Sequence, residues 1–302
     1  MPGGTSVLIT GAAGFAGTHL AALLEAGGVE VTAFSGDIRE LDALREQIAA
    51  AQPAAIAHLA GLASVAQAWG AERTVWDVNA TGTLNLLLAT RDVAPDARLL
   101  IVSSAEVYGS VPEARHPIGE DEQLAPLSPY GVSKVAAELV AAQSPLDVAI
   151  ARPFNHLGPG QDTRFAIPSF CAQIASIERG AQPPRIEVGN LSARRDFSDV
   201  RDVVEAYRML LEPRGPRGPF NIASGTAHAI GEILDRLLAL ARVPIEVVVD
   251  ESRLRPSDVP ALCGDATRLR AALGWAPSHP LERTLADTLE YHRALGAGAA
   301  SA

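Results

Sequence analysis

Gly11-Ala12-Ala13-Gly14-Phe15-Ala16-Gly17 joins a short β-rich run, Ser6–Thr10 (SVLIT), to an apolar helical stretch over 19–26. Missing side chains at three positions let the backbone turn tightly and approach a bound pyrophosphate. The helix that follows offers free N–H groups and the positive end of its dipole. A glycine triplet alone is a weak signal; strand before and helix after make it a dinucleotide cradle. Its spacing is GxxGxxG, not GxGxxG. Working outward, strands are expected over 29–34, 54–59, 98–103 and 147–152, and helices over 37–51, 74–90 and 130–143. Strands that alternate with helices read as βαβ units of an α/β fold with a doubly wound parallel sheet. The strands are continuous apolar runs, which suits burial on both faces.

The pattern loosens after Pro153, where Pro and Gly thicken at 158–160, 183–184 and 213–219. A strand over 220–223, a helix over 230–241 and a strand over 244–249 are legible there. A domain change is placed near residue 158. The tail from Gly296 is expected to fray.

Composition removes several classes of function. The 302 residues carry a net charge of −10, which works against a nucleic-acid or anionic-membrane surface. No uninterrupted apolar stretch of about 18 residues appears, so no membrane span is expected. The N-terminus shows no basic leader followed by an apolar core, and a cytoplasmic location is expected. Two separated cysteines, Cys171 and Cys263, argue against a disulfide framework or a thiolate zinc site, and no metal is expected. HExxH, GxSxG and SxxK are absent.

The chain has 24 Arg and a single Lys, Lys134, four residues after Tyr130. Four tyrosines among 302 residues make that placement rare by chance. Lys is a compact point charge, whereas Arg is a planar fork, so this position reads as one that Arg could not fill. Residues i and i+4 of a helix meet on one face. A cation beside a phenol is expected to lower its pKa by about a unit or more, making Tyr130 an acid–base group usable near neutrality. Ser103-Ser104, at a strand end, offers a hydroxyl to polarise a carbonyl oxygen shared with Tyr130.

The acidic residue that would bind an adenosine ribose is missing after the second strand, which ends Phe34-Ser35-Gly36. NADP and NAD are both open, NADPH slightly favoured, with Arg39 the candidate partner of a 2′-phosphate. Asp37 is a candidate adenine contact or, equally, a helix N-cap. The cofactor candidates are Gly11, Ala13, Gly14, Phe15, Gly17, Asp37, Ile38, Arg39, Leu59, Ala60, Tyr130 and Lys134.

Gly11xxGly14xxGly17, His58-Leu-Ala-Gly61, Asn79 in VNATGTLNLL, Ser104, Glu106-Val-Tyr-Gly109 and Tyr130xxxLys134 together resemble the extended short-chain dehydrogenase/reductase family over nearly the whole chain. Arg152-Pro-Phe-Asn155-His-Leu-Gly-Pro-Gly-Gln161, Gly189-Asn190-Leu191, Arg195-Asp196-Phe197 and Arg255-Pro-Ser-Asp258-Val-Pro260 look like its branch of GDP-mannose dehydratases and GDP-4-keto-6-deoxymannose reductases. The resemblance implies a Rossmann domain over 1–157 and a smaller, mixed nucleotide-sugar domain over 158–302, with parts of 190–225 packing back on the first. It implies catalytic roles for Ser104, Tyr130, Lys134 and Glu106, and substrate contacts from Asn155, Arg195, Arg255 and Asp258. It implies a GDP-sugar substrate and a homodimer formed by the helices over 74–90 and 130–143. Ala105 stands where dehydratases carry an acid or Ser, which favours reduction of a C4 ketone in a GDP-4-keto-6-deoxyhexose. A dehydratase using Glu106, another epimerase of this scaffold, and an NADP-sensing regulator without chemistry are the alternatives.

Overall fold

The computed structural model describes residues 5–250 and 259–299. Its centre is a six-stranded, all-parallel sheet of β1 (Ser6–Thr10), β2 (Glu30–Ala33), β3 (Ala55–His58), β4 (Arg98–Val102), β5 (Asp147–Pro153) and β9 (Gly218–Ile222), in the order β2-β1-β3-β4-β5-β9. The chain leaves β1 to one side for β2 and returns to its other side for β3. That reversal opens a crevice beyond the C-terminal ends of β1 and β3, where ligands of such sheets bind.

Alternate residues of each strand enter opposite cores. Val7, Ile9, Ala55, Ala57, Leu100, Ala149 and Ala151 face α1 (Phe15–Ala26) and α8 (Val200–Leu210). Leu8, Ile56, Leu99, Ile101, Val148 and Ile150 face α2 (Leu41–Ala51), α5 (Gly82–Val93) and α6 (Pro129–Ala142). Burial on both faces explains why these strands read as unbroken apolar runs. Each fully buried Leu or Ile contributes ~1.5–3 kcal/mol of transfer free energy.

Two boundaries differ from the sequence reading. The helix expected from residue 37 begins at Leu41, because Asp37 closes a turn onto the N–H of Arg39. Asp37 is therefore not its N-cap. The helix expected over 74–90 is three pieces: α4 (Glu72–Trp76), a π-helical segment Asp77–Thr81, and α5.

The second half holds more structure than its sequence suggests. β8 (Arg194–Asp199) pairs with β6 (Asn155–Leu157), β10 (Ala227–Ala229) and β12 (Ala261–Leu262). β7 (Arg185–Val188) pairs with β11 (Glu246–Val249). A separate apolar core joins α7 (Ala166–Glu178), α9 (Ile230–Ala239) and α11 (Leu281–Ala299) through Ile174, Ile233, Leu237, Leu285 and Leu289. β9 and α8 belong to the main sheet and its flank, although they lie far along the chain. Among the described residues no helix is long and apolar enough to cross a membrane.

Candidate active site

The glycine loop sits at the crevice. Gly11 has φ +73°, and a Cβ there would lie 2.6 Å from Ala60 N. A Cβ on Gly17 would lie 2.2 Å from Gly11 O, so α1 can close on the loop only without one. Gly14 precedes α1 and supplies no side-chain cap, and the first turn holds no acidic residue. Uncapped N–H donors with no nearby carboxylate suit a phosphate. Leu59 and Ala60 border the loop: Leu59 N donates to Thr10 O at 3.0 Å and Ala60 N to Thr10 Oγ1 at 3.3 Å. Phe15 stacks on His156, with centroids 5.8 Å apart. After β2, Arg39 grips Asp37 through Nε and Nη2 at 2.9 and 2.5 Å. The guanidinium holds the Asp37 carboxyl down at about 2. Ile38 lies buried beneath Gly82. These residues fit a dinucleotide: a close-approach loop, an open helix N-terminus and an arginine beyond the second strand.

Tyr130 and Lys134 lie on the buried stripe of α6. Ser128 caps this helix by accepting from Gly131 N at 3.1 Å, and Pro129 opens its first turn. A Cβ on Gly131 would lie 2.8 Å from Glu106 O, so the bare glycine brings α6 onto the 3₁₀ turn Ala105–Val107. Ser104 caps that turn, its Oγ accepting from Glu106 N at 3.2 Å. The Ser104 hydroxyl reaches the Tyr130 phenol, and the Glu106 carboxylate also faces it. Glu106 in turn faces Arg195 on β8.

The structure thus brings Ser104, Glu106, Tyr130, Lys134 and Arg195 together. Asn155 is exposed at the start of β6, the strand beside β8, and its register partner is Phe197. Arg255 and Asp258 fall outside the described residues. Asp196 is fully buried as a structural clamp, accepting from the N–H groups of Ser224, Gly225 and Gly264. Asn190 accepts from Ser192 N within a local turn.

One expectation is corrected. Lys134 does not bring the Tyr130 phenol toward neutrality. Its Nζ donates to Val102 O at 2.8 Å and stands 6.0 Å from the Tyr130 ring centroid. Burial dominates and pushes Tyr130 up to about 12, with the hydrogen bond from Ser104 opposing and the Glu106 charge adding. Burial likewise brings Lys134 down to about 8, opposed by Glu138. Burial also pushes the Glu106 carboxyl up, against the pull of Arg195.

Behind these groups lies a polar scaffold, of which the sequence reading quoted His58, Asn79 and Arg152 as motif residues without a role and missed Glu138. Asn79, on the π segment, donates to Ser133 Oγ at 2.9 Å and accepts from Leu62 N at 2.9 Å, tying the β3 loop to α6. His58 bridges Thr10 Oγ1 at 2.7 Å and Thr83 Oγ1 at 3.0 Å. Glu138 and Arg152 form a buried ion pair at 2.6 Å. The spacing Tyr130-Lys134-Glu138, three polar residues on one helix face, was the available signal for the last of these. Among the described residues no cluster of three His, Cys, Asp or Glu side chains is placed to hold a metal.

Residues 29–288 match the family model described as GDP-mannose 4,6 dehydratase. The chain is 37% identical over 287 residues to GDP-6-deoxy-D-mannose reductase of Pseudomonas aeruginosa, covering 92% of this chain and 94% of that protein. It is 29% identical over 257 residues to GDP-mannose 4,6 dehydratase 2 of Arabidopsis thaliana, covering 82% of this chain and 68% of that protein. The solved structure of RMD from Pseudomonas aeruginosa complexed with NADPH superposes with a TM-score of 0.90 at 35% identity, covering 96% of this chain and 99% of that one.

Proposed function

This chain belongs to the GDP-mannose 4,6 dehydratase family of NAD(P)-dependent nucleotide-sugar oxidoreductases, and from that premise we propose that it reduces the C4 ketone of a GDP-4-keto-6-deoxyhexose. The observation that carries this reading is the make-up of the turn facing Tyr130: Ser104, a buried Ala105, and Glu106 facing Arg195. Reduction needs one proton donor and one anchor for the carbonyl oxygen, and both are present. Dehydration needs in addition a base at C5 and an acid for the departing C6 hydroxyl. Glu106 has the buried carboxyl of a base, which favours the dehydratase as the second reading, but Ala105 supplies no acid. The likeness to GDP-6-deoxy-D-mannose reductase supports the first reading.

NADPH, or NADH in its place, supplies a hydride to C4 when bound. The glycine loop and the N-terminus of α1 would hold its pyrophosphate, with Phe15, Leu59 and Ala60 beside it and Asp37, Ile38 and Arg39 at the adenosine end. Ser104 donates a hydrogen bond to the C4 oxygen. Tyr130 delivers its proton to that oxygen as negative charge develops there. Burial suits this direction, because a phenol held up at about 12 is fully protonated near neutrality. It is still a stronger acid than the alcohol formed, so the transfer runs downhill. Lys134, buried and cationic below about pH 8, would hold the nicotinamide ribose beside Tyr130. Asn155, Arg195, Arg255 and Asp258 hold the sugar and its diphosphate, for which a guanidinium fork is the matching shape. Two copies of the chain associate.

Absorbance at 340 nm tests the reading. The protein should consume NADPH when given GDP-4-keto-6-deoxymannose and leave GDP-mannose unchanged. A 4-keto product from GDP-mannose without net consumption of reduced cofactor would make it a dehydratase.

A further inference from the structure

The end of β4 is tied to α6 at two consecutive residues. Lys134 Nζ donates to Val102 O at 2.8 Å, and Ser103 Oγ donates to Glu138 Oε1 at 2.5 Å. Lys134 and Glu138 stand one helical turn apart on the buried stripe of α6. Within the sheet the same strand end is held by β5, because Ser103 N donates to Ala151 O at 2.7 Å. The next residue is Ser104, whose Oγ accepts from Glu106 N and opens the 3₁₀ turn. The start of α6 packs on that turn: Gly131, the neighbour of Tyr130, sits so close to Glu106 O that a Cβ would lie 2.8 Å from it.

The Glu138 charge does not need the Ser103 hydroxyl to satisfy it. Arg152 Nε donates to its two oxygens at 2.9 and 3.1 Å, and Nη2 donates to Oε2 at 2.6 Å. Arg152 is fixed in turn, donating to Tyr108 Oη at 2.9 Å and to Glu120 O at 3.1 Å. The carboxylate is therefore a rigid acceptor held from β5. Ser103 and Glu138 are 2% and 4% exposed, so water does not compete for their bond. A hydroxyl bonded to an ionised carboxylate at this length is among the stronger and more directional hydrogen bonds. It fixes the Ser103 side chain, and with it the peptide that leads into Ser104. Placement matters there, because a shift of about 1 Å in a reacting group can cost on the order of 10²-fold in rate.

We infer that Ser103 and Glu138 are positioning residues whose hydrogen bond sets Ser104 against Tyr130. Arg152 keeps Glu138 in place, Glu138 holds Ser103, and Ser103 holds the strand end from which Ser104 reaches the phenol. The two elements that carry the reacting hydroxyls, β4 and α6, are thus locked to each other one residue and two helical turns away from those hydroxyls. The effect on turnover rests on the reductase reading, whereas the alignment of Ser104 with Tyr130 does not.

Ser103→Ala tests this with little disturbance, since it removes one hydroxyl and leaves the Glu138–Arg152 ion pair whole. Protein grown on 3-fluorotyrosine has four labelled positions, and the fluorine resonance lost in Tyr130→Phe belongs to Tyr130. Ser104→Ala marks where that resonance lies once the phenol has lost its Ser104 partner. Ser103→Ala should move it in the same direction, while the Tyr291 resonance on α11 stays in place. With NADPH and GDP-4-keto-6-deoxymannose, kcat should fall about 10-fold or more with both KM values unchanged. If the bond only braces the fold, the melting temperature drops while the Tyr130 resonance and kcat keep their wild-type values. An unmoved resonance or an unchanged kcat overturns the proposal. Ser103→Cys, close in size to serine and a weak donor, repeats the test if the alanine variant fails to fold, and both readouts should move in the same directions. A wild-type protein that leaves the keto sugar unreduced overturns the reductase reading alone, because the fluorine shift needs no substrate.

Discussion

At the scale of single residues, the sequence pointed to the chemistry more clearly than to its electrostatics. A lone lysine four residues after a tyrosine singled out Tyr130 and Lys134, and both occupy one buried stripe. Their pKa shifts were not legible, because they come from burial, which depends on β3, β4 and the 3₁₀ turn closing around α6. Tyr130→Phe removes the proton donor and keeps the packing, so turnover should fall by at least about 10³-fold while NADPH fluorescence titration shows unchanged binding. Near wild-type turnover would remove Tyr130 from the mechanism. Lys134→Arg should lose most activity as well, since a Cβ on Gly61 would already lie 3.3 Å from Nζ and a planar fork needs more room. His58 carries a consequence for stability. Burial, helped by the Lys134 charge, lowers its pKa from 6.5 to about 3 in the folded chain. Between those values the unfolded chain binds the proton and the folded chain does not. Stability should thus fall as pH drops from about 6.5 toward 3, by an amount on the order of a few kcal/mol. Urea midpoints across that range should show a shallower slope in His58→Gln; identical slopes would contradict the assignment.

At the scale of elements, legibility followed burial. β1, β3, β4 and β5 stood out because both their faces are covered. β8 reads Arg194-Arg-Asp-Phe-Ser-Asp199 and looks like a loop, yet its Asp196 is buried because three backbone N–H groups and the Ser224 hydroxyl satisfy it. Strands of two or three residues, such as β12 and β10, have no period to detect. The π segment is likewise invisible to a 3.6-residue pattern, although it sets Asn79 between the β3 loop and α6. The apolar series Val200, Val203, Val204 and Tyr207 of α8 is helical in spacing, yet the sequence reading named no helix there. The glycine loop is an element whose function and packing are one constraint. In Gly17→Ala the new methyl would collide with backbone, not with a side chain that could rotate away. The loop or α1 must move. NADPH affinity should fall by about 10-fold or more, with a loss of at least ~2 kcal/mol in stability. A variant with native melting temperature and native NADPH affinity would show that the loop can relax.

At the scale of the whole molecule, one surface is out of keeping with the rest. α4, α5 and α6 pack side by side, and from them Trp76, Leu84, Val132 and Leu139 stand 46%, 40%, 44% and 55% exposed. Single exposed apolar residues are ordinary, but four large ones on three adjoining helices form a patch that a partner would cover. We propose that a second copy covers it, pairing the same helices about a two-fold axis. Such an isologous contact doubles every apolar residue it buries, which helps reach the ~1,200–2,000 Å² of a stable interface. The pairing also bears on catalysis, because α6 carries Val132 and Leu139 on its outer side and Tyr130, Lys134 and Glu138 on its inner side. Bracing the outer side would fix the helix that aligns the inner one. Light scattering at micromolar concentration should give twice the chain mass, and Val132→Glu with Leu139→Glu should shift it toward the monomer. That variant should lose turnover in step with dissociation while its far-UV circular dichroism stays native. A wild-type monomer would reject the dimer, and a dissociated variant with full activity would reject the link between assembly and α6.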